Sequence, residues 1–594
     1  MPQAAAASEY DVVVIGAGAG GMTAAAVAAT RGLKSIVIEK TPLVGGTTAI
    51  SGGMVWAPNT TKRSLVGADD TPAQAANYLE TVVGTPEGAD LRARYLAEAP
   101  KAIEYLESHT SVRLTPVPFY PDYYPDVPGA TLRGRVLEPV PFDARELGDW
   151  FPKLRPPLPE FTLFGGMMVA RADIVHFRNV FKSARSALRV ARLVAGYGAD
   201  RMRFHRGTSL VLGNALAGRL VKSLLDLDVP ILLGTTVTGL RRDGKAVVGI
   251  EVRTASGEAM SIGARLGVVL ASGGFSHSDR LRRELLPVEA GDASAAADGN
   301  TGDGIDLGKS AGGFVVSSNR NNAFWTPVSR LVRANGESGV YPHTVTDRGK
   351  PGMLAVDKAG RRFTNEAESY HEFVQAMFRA NRQSAAIPAY LICDRRALWK
   401  YGLGAVRPMA WRLESYRRSG YLHEAPTLRA LADGLGVDAG NLEATVATYN
   451  RDAATGVDTA FGRGSNAYHK YVGDPANLPN PCIHPVVTPP FYAVVLHPAD
   501  LGTSAGLRTS PAGEVLDGEG QAIPGLYACG NDMNSIMSGS YPGPGITLGP
   551  ALVFGYLVAM RIAETRDAQR AQWGSEGRPL VRLVSSSAAP PSAP

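Results

Sequence analysis

Near the C-terminus, Ser540-Tyr541-Pro542-Gly543-Pro544-Gly545 sets a tyrosine hydroxyl close to a glycine N–H that no side chain obstructs. Two such donors can hold one carbonyl oxygen and stabilise the negative charge it gains in a reaction. The residues that follow, Ile546-Thr547-Leu548-Gly549-Pro550, lead into Ala551, Leu552, Val553, Phe554, Leu557, Val558 and Ile562. This reads as a helix apolar on nearly every side, and such a helix is buried. Its N-terminus presents unpaired backbone N–H groups and the positive end of the helix dipole, which suits a ring that gains negative charge on reduction. A flavin is such a ring. Alone, the motif also fits a plain Gly/Pro-rich helix entry, so the other end of the chain decides.

There, Asp11-Val12-Val13-Val14-Ile15 forms an apolar strand, followed at once by Gly16-Ala17-Gly18-Ala19-Gly20-Gly21 and an Ala-rich helix to about Thr30. A second strand, Ser35-Ile36-Val37-Ile38, ends in Glu39. This is a GxGxxG fingerprint, Gly16, Gly18 and Gly21, in the order of strand, turn, helix, strand and acid that a dinucleotide site needs. The first glycine allows the tight turn, the second lets backbone approach a pyrophosphate, and the third lets helix pack on strand; Glu39 sits where an acid holds the ribose hydroxyls. The fingerprint does not say which dinucleotide. The loop Val44-Gly45-Gly46-Thr47-Thr48-Ala49-Ile50-Ser51-Gly52-Gly53 narrows the choice, being small and hydroxyl-rich. It can lie against a bulky planar cofactor and bond its phosphates and ribityl chain through Gly46, Thr47, Thr48, Ser51, Gly52 and Gly53.

The elements that must position these groups belong to a chain of 594 residues, 45% hydrophobic and 20% charged, long enough for two or more packed domains. A net charge of +6 is small for that length and gives no argument for nucleic acid. Cys393, Cys482 and Cys529 are scattered, with neither a CxxC pair nor a disulfide framework, which fits a reducing compartment. The Ala-rich lead, Met1 to Glu9, lacks a basic region ahead of an apolar stretch, and no uninterrupted apolar run is long enough to span a bilayer. A cytoplasmic protein is expected, with no metal site. Arg178, Lys182, Arg185, Arg189 and Arg192 are spaced to share one helical face. Such stripes are ordinarily solvated surface; the sharper reading is a shallow contact with an anionic membrane. Ser585 to Pro594 contain only Ser, Ala and Pro and predict a disordered tail.

Further on come Val268-Val269-Leu270 with Ala271-Ser272-Gly273-Gly274, the turn Thr301-Gly302-Asp303-Gly304, and Gly525-Leu526-Tyr527-Ala528-Cys529-Gly530-Asn531. In this order of segments the chain resembles the FAD-dependent oxidoreductases of the succinate dehydrogenase and fumarate reductase flavoprotein superfamily. The resemblance implies FAD as cofactor, held also by Val237, Gly273, Asp303, Gly530, Asn531 and Leu548. It implies an α/β fold: a discontinuous, Rossmann-like FAD-binding domain with an inserted catalytic domain of α+β type. The expected boundaries are residues 1–328 for the first part of the FAD domain, with a helical insertion at about 151–208, then 329–497 for the catalytic domain and 498–584 for the second part. No second GxGxxG follows, so a separate NAD(P)H domain is not expected.

Dicarboxylate enzymes of that superfamily carry a His-rich segment ahead of the final FAD strand. The comparable stretch here, Asp500-Leu501-Gly502-Thr503-Ser504-Ala505-Gly506-Leu507, has no histidine, which argues against a dicarboxylate. Instead, Ser540 to Gly545, Pro490-Phe491-Tyr492-Ala493 and Asp500-Leu501-Gly502-Thr503 resemble the 3-ketosteroid dehydrogenases that desaturate ring A between carbons 1 and 2. The resemblance implies that Tyr541 and Gly545 bind the 3-keto oxygen. Gly360-Arg361-Arg362-Phe363-Thr364-Asn365-Glu366-Ala367-Glu368-Ser369-Tyr370 is similar to a second signature of that family, whose last tyrosine is the proton-abstracting base; the role falls on Tyr370. A third family tyrosine most resembles Tyr123 in Phe119-Tyr120-Pro121-Asp122-Tyr123-Tyr124, with Tyr120 and Tyr124 as alternatives.

Removing hydrogens from two carbons beside a ketone takes loss of an acidified proton to a base and loss of a hydride to the flavin. Tyrosine is a poor base at its ordinary pKa of about 10, so Tyr370 needs a hydrogen-bonding neighbour or positive potential, and Tyr123 is the candidate. His371 is expected to be structural or at the surface. Phe324-Trp325-Thr326-Pro327, Phe373, Met377 and Phe378 are candidate walls of an apolar site, although each by itself reads as core. The expected enzyme passes its electrons to an external acceptor such as a quinone. Alternatives are desaturation of another cyclic ketone or of the 4,5-bond of a 5α-3-ketosteroid and, from a different class, a flavin electron-relay protein without turnover.

Overall fold

The computed structural model describes residues 8–333 and 335–575, so the expected tail at 585–594 lies outside the described residues. Strand β1 (Ser8–Ile15) begins three residues before the apolar run predicts, and its Val12 to Ile15 are buried. Helix α1 (Ala19–Thr30) crosses over to β2 (Ser35–Ile38), which pairs in parallel with β1, Val14 opposite Val37. An all-apolar strand needs cover on both faces and a parallel pair needs a crossover helix, so the local sequence already dictates this unit. On its other side β1 pairs in parallel with β3 (Ala259–Leu270), whose N-terminal half also joins an antiparallel meander with Ala246–Thr254 and Thr235–Asp243.

The chain leaves this sheet for long excursions. The expected insertion holds two helices, α2 (Arg171–Arg178) and α3 (Ala184–Arg201), and it buries almost nothing on them beyond Asp173 and Ser186. The expected single basic face is corrected here. Ser183 accepts the Ser186 N–H through its hydroxyl and starts a new helix, so Arg178 and Lys182 precede α3, and Arg185, Arg189 and Arg192 share its face. Arg189 is paired with Asp173 at 2.8 Å.

A second sheet, six-stranded and antiparallel, contains β4 (Ala323–Val332), β5 (Ala389–Asp394) and β6 (Phe491–Thr503). β4 and β6 pair with Phe324 opposite Gly502 and Val328 opposite His497. The expected boundaries at 328/329 and 497/498 therefore fall inside two paired strands, and a ladder cannot be divided between domains without breaking its hydrogen bonds. This sheet spans Ala323 to Thr503. Helix α4 (Tyr370–Asn381) lies against β4, and α5 (Ala467–Val472) follows.

The chain then returns. β7 (Ala522–Ala528) adds in parallel to β3, Val269 opposite Tyr527, and helix α6 (Leu548–Ser575) packs on α1. The helices touch closely, because a Cβ on Gly555 would lie 2.6 Å from the Gly20 carbonyl oxygen. The first and last portions of the chain thus share one sheet and one helix pair, the arrangement of a discontinuous FAD-binding domain. By length and composition Leu548–Arg570 is apolar enough to cross a membrane, which a search for uninterrupted runs overlooks because Arg561 breaks it. Since 67% of its apolar window is buried inside the fold, it is a core helix.

Candidate active site

The turn after β1 is built as its glycines require. Gly16 takes φ +109°, a Cβ there would lie 2.2 Å from the Ala271 carbonyl oxygen, and a Cβ on Gly21 would lie 2.1 Å from that of Gly16. Neither position admits a side chain, so α1 starts tight against the ends of β1 and β3. Open space lies beside Gly18, which leaves the start of α1 accessible to an anion. Glu39 is fixed next to the turn, accepting the Ala17 N–H at 3.0 Å and the Thr41 N–H and hydroxyl at 2.8 Å.

The hydroxyl-rich loop lies close by, in and around a short helix, Gly46–Ile50. Its side chains serve the fold first: Thr48 Oγ1 accepts the Ala19 N–H at 3.1 Å, and Thr47 Oγ1 accepts the Ala297 N–H and Asn300 Nδ2 at 3.0 Å. Ser51 Oγ donates to the Thr48 carbonyl, Gly52 has open space beside it, and Gly53 abuts the backbone of Leu212 and Gly213. Asp303 pairs with Lys40 at 2.7 Å, Gly273 and Gly530 take positive φ, and Val237 sits in the meander opposite Val252. A cavity lined by Phe324, Thr503, Asn531, Ile546, Thr547 and Ala551 lies at the start of α6, which Leu548 opens. Asp532, unremarked in the sequence, is fully buried and accepts the Gly274 N–H at 2.9 Å and the Ser272 hydroxyl at 3.0 Å, tying the turn after β3 to the turn after β7. Burial raises its carboxyl's pKa.

Three tyrosines singled out from the sequence meet. The Tyr123 hydroxyl donates to the Tyr370 hydroxyl at 3.1 Å. The Tyr370 and Tyr541 rings meet edge-on with centroids 5.1 Å apart, and the Tyr123 ring stacks on Tyr541 at 5.7 Å. Tyr370 opens α4 directly after Ser369, whose hydroxyl caps the helix by accepting the Glu372 N–H. The Tyr123 loop is fastened to the Gly/Pro turn, for both the Tyr123 N–H, at 2.9 Å, and the Tyr78 hydroxyl, at 2.5 Å, donate to the Pro542 carbonyl. Asp122 accepts from Trp56 Nε1 at 2.9 Å and from Arg135 at 2.8 Å; Arg135 in turn is buried between Asp122 and Asp70. Gly545 takes φ +92°, and a Cβ there would lie 2.5 Å from the Met54 carbonyl oxygen. Tyr124 is engaged elsewhere, its hydroxyl donating to Glu372 at 2.7 Å. The Tyr120 ring packs on Tyr471 at 4.5 Å, and its hydroxyl is turned towards Tyr123 and Tyr370.

Burial raises the pKa of Tyr370 well above its ordinary value; Tyr541 adds to the rise, and the hydrogen bond from Tyr123 opposes it. Burial likewise pushes Tyr541 up to about 12. His371 is structural but not at the surface. It is fully buried, its Nδ1 accepts the Trp325 N–H at 3.0 Å, and its ring lies 5.6 Å from Tyr541. Burial lowers its pKa to about 3, so the ring is neutral. Of the expected walls, Phe324 meets Tyr541 edge-on at 5.4 Å and lines the cavity, whereas Trp325 packs on Phe378 and Phe373 on Phe363.

Comparison with known proteins agrees with this geometry. The FAD binding domain family matches residues 11–548. The 3-oxosteroid 1-dehydrogenase of Mycolicibacterium smegmatis is 37% identical over 95% of this chain and 98% of its own. The chain belongs to the 3-oxosteroid 1-dehydrogenase family of FAD-binding flavoproteins. A 4-oxocyclohex-2-ene-1-carboxylate 5-dehydrogenase of Sinomonas cyclohexanicum is 38% identical over 98% of each chain. The crystal structure of 3-ketosteroid delta1-dehydrogenase from Sterolibacterium denitrificans, in complex with 1,4-androstadiene-3,17-dione, matches with a TM-score of 0.88 at 35% identity, over 94% of this chain and 100% of that one.

A flavoprotein of this family is an FAD-dependent oxidoreductase, and the residues present fit the cofactor. Side chains are excluded at Gly16 and Gly21 but not at Gly18, where space is open, and the start of α6 faces a cavity rather than packed side chains. Gly16, Gly18, Gly21 and Glu39 would hold the adenine-nucleotide half, and Gly46 to Ser51, Asn531 and the start of α6 the flavin half.

Proposed function

We propose that this chain introduces the double bond between carbons 1 and 2 into ring A of a 3-ketosteroid, with Tyr370 as the base. The observation that carries this reading is the buried Tyr123–Tyr370 hydroxyl pair, 3.1 Å apart beside Tyr541. The Tyr541 hydroxyl and the Gly545 N–H hold the ketone oxygen and stabilise the enolate-like charge, by about 3 kcal/mol for a well-placed donor. That acidifies the neighbouring proton, which ionised Tyr370 removes. Tyr123 donates to the Tyr370 oxygen and favours its ionised form. FAD, when bound, supplies the acceptor for the hydride from the adjacent carbon. An external carrier such as a quinone takes the electrons onward, and the three buried free cysteines suit a reducing, cytoplasmic setting.

One specific observation favours a second reading. The Sinomonas relative, named for a monocyclic oxo-acid, is as similar as the steroid relatives. The same tyrosines would then desaturate a smaller ring. The test is anaerobic addition of androstenedione, or of 4-oxocyclohex-2-ene-1-carboxylate, to the purified flavoprotein while flavin absorbance is followed. Bleaching by androstenedione that Tyr370→Phe abolishes is the expected result. Bleaching by the monocyclic acid alone moves the substrate to the second reading, bleaching that survives Tyr370→Phe removes the base, and no bleaching by either withdraws the tyrosine assignments.

Membrane contact is a separate part of the proposal. Around α2 and α3, Ile174, Val175, Leu188 and the 92% exposed Phe181 stand among Arg178, Lys182, Arg185 and Arg192. That mixture supports shallow seating on an anionic surface. Equal flotation with neutral and anionic vesicles would rule it out.

A further inference from the structure

Behind the tyrosine pair sits a hydroxyl without a partner. Tyr468, on α5, is fully buried, and its hydroxyl has no partner of full hydrogen-bond geometry among the described residues, although the Tyr123 hydroxyl lies near enough to oppose the rise that burial gives its pKa. Its ring lies 4.7 Å from that of Tyr123, centroid to centroid. A buried unpaired hydroxyl is costly, and phenylalanine would fill the same space without that cost. Packing therefore does not explain why a tyrosine stands here.

The surroundings hold this hydroxyl in place. Asn466 caps α5 by accepting the His469 N–H at 2.9 Å, and His469 Nε2 bonds Glu368 at 3.0 Å, two residues before Tyr370. Arg348 is also buried there; it donates to the carbonyls of Glu366 at 3.0 Å and Glu368 at 3.3 Å, with its guanidinium 4.8 Å above the Phe373 ring. Tyr541, Tyr123 and Tyr120 face Tyr370; Arg348, Glu368, Tyr471 and Tyr123 face Tyr468. Among these Arg348 is the one cation, and Glu368 is engaged by His469.

We infer that Tyr468 is a positioning residue for the base, its hydroxyl donating to the Tyr123 oxygen when Tyr123 donates to ionised Tyr370. Each donor in such a chain polarises the next, so the negative charge of Tyr370 is shared along three hydroxyls towards Arg348. No proton changes oxygen in this step; hydroxyls only reorient. The inference rests on the reading of Tyr370 as the base, and the test separates the two.

Tyr468→Phe keeps the ring and removes the hydroxyl. In the FAD-loaded enzyme, the rate of anaerobic flavin bleaching by androstenedione is measured from about pH 6 to about pH 12, since burial lifts Tyr370 above the ordinary tyrosine range, beside wild type and Tyr370→Phe. Expected are unchanged KM, flavin content and melting temperature, a rate about tenfold lower at neutral pH, and a pH midpoint raised by about one unit. The deficit then closes at high pH, which a merely structural loss would not do. An unchanged midpoint overturns the inference whatever the rate, while Tyr370→Phe stays dead. Wild-type bleaching in Tyr370→Phe removes the base itself, and this inference with it. Melting data identify a variant that is simply misfolded; Tyr468→Met, equally free of a hydroxyl, then carries the same midpoint test.

Discussion

Replacing Tyr123 by phenylalanine removes one hydrogen bond and leaves the packing in place. The hydroxyl donates to Tyr370 at 3.1 Å, and the ring, stacked on Tyr541 and tilted against Tyr468, is kept. Among the influences on Tyr370, burial and Tyr541 raise its pKa and this bond lowers it. A hydrogen bond to a charged group contributes about 1.5–3 kcal/mol, and about 1.36 kcal/mol corresponds to one pKa unit. Its loss therefore raises the pKa of Tyr370 by about 1 to 2 units. The proposed base, Tyr370, works ionised, so at neutral pH the competent fraction is expected to fall by about 10- to 100-fold, and the rate of each protein to rise as pH rises through its own midpoint. Stopped-flow measurement of anaerobic flavin bleaching by androstenedione across pH reads that midpoint directly. Displacement to higher pH, with KM unchanged, is expected. A midpoint identical to wild type, or a loss of rate equal at every pH, would refute the argument that Tyr123 acts through the ionisation of Tyr370.

Tyr541→Phe removes one of the two donors proposed for the ketone oxygen and should slow flavin bleaching by about 100-fold or more with flavin content unchanged; a loss under about threefold would exclude that role. Arg135→Met leaves the buried carboxylates of Asp70 and Asp122 without their cation, and urea unfolding should show a loss of about 3–5 kcal/mol. A change below about 1 kcal/mol would mean that solvent reaches the pair. His371 has a pKa of about 3 when folded against 6.5 as the ordinary value, so the stability it contributes is present above pH 6.5 and is lost as pH falls. About 2 kcal/mol should be gone at about pH 5, and the melting temperature of His371→Gln should depend less on pH over that window. Gly21→Ala would place a Cβ 2.1 Å from the Gly16 carbonyl, so the purified protein should come without its yellow colour; full flavin occupancy would contradict the packing described.

The geometry of the turn after β1 was legible because its requirements are local. The run Gly16 to Gly21 needs particular backbone conformations and close approaches within a few residues, and an apolar strand before it and an Ala-rich helix after it can satisfy them in one way. The same holds for Tyr541 and Gly545, which one rigid Gly/Pro turn carries together. Asp532 shows the limit, since an acid after Asn531 carries no signal until the turn after β3 brings the Ser272 and Gly274 groups to it. The basic stripe shows another: a spacing that suits one helix says nothing of a Ser183 cap that breaks it into two.

The amino-acid sequence by itself determined the nucleotide turn, the buried final helix, the presence of FAD and the residue types of a ketone-desaturating site. These follow from short-range rules on chain conformation and from motifs whose members are neighbours. Tertiary structure alone decided which tyrosines stand together. The sequence favours Tyr123 by resemblance but leaves Tyr120 and Tyr124 as alternatives; the Pro542 carbonyl holds the Tyr123 backbone, the Tyr123 hydroxyl reaches Tyr370, Glu372 takes the Tyr124 hydroxyl, and the Tyr120 ring packs on Tyr471. The limits of the second sheet were settled by the pairing of β4 with β6, and the place of Tyr468 by α5 packing against the Tyr123 loop. Hydrogen bonding, desolvation and electrostatic coupling act through space over a few ångströms, so groups hundreds of residues apart in the chain acquire their chemistry only when folding sets them side by side.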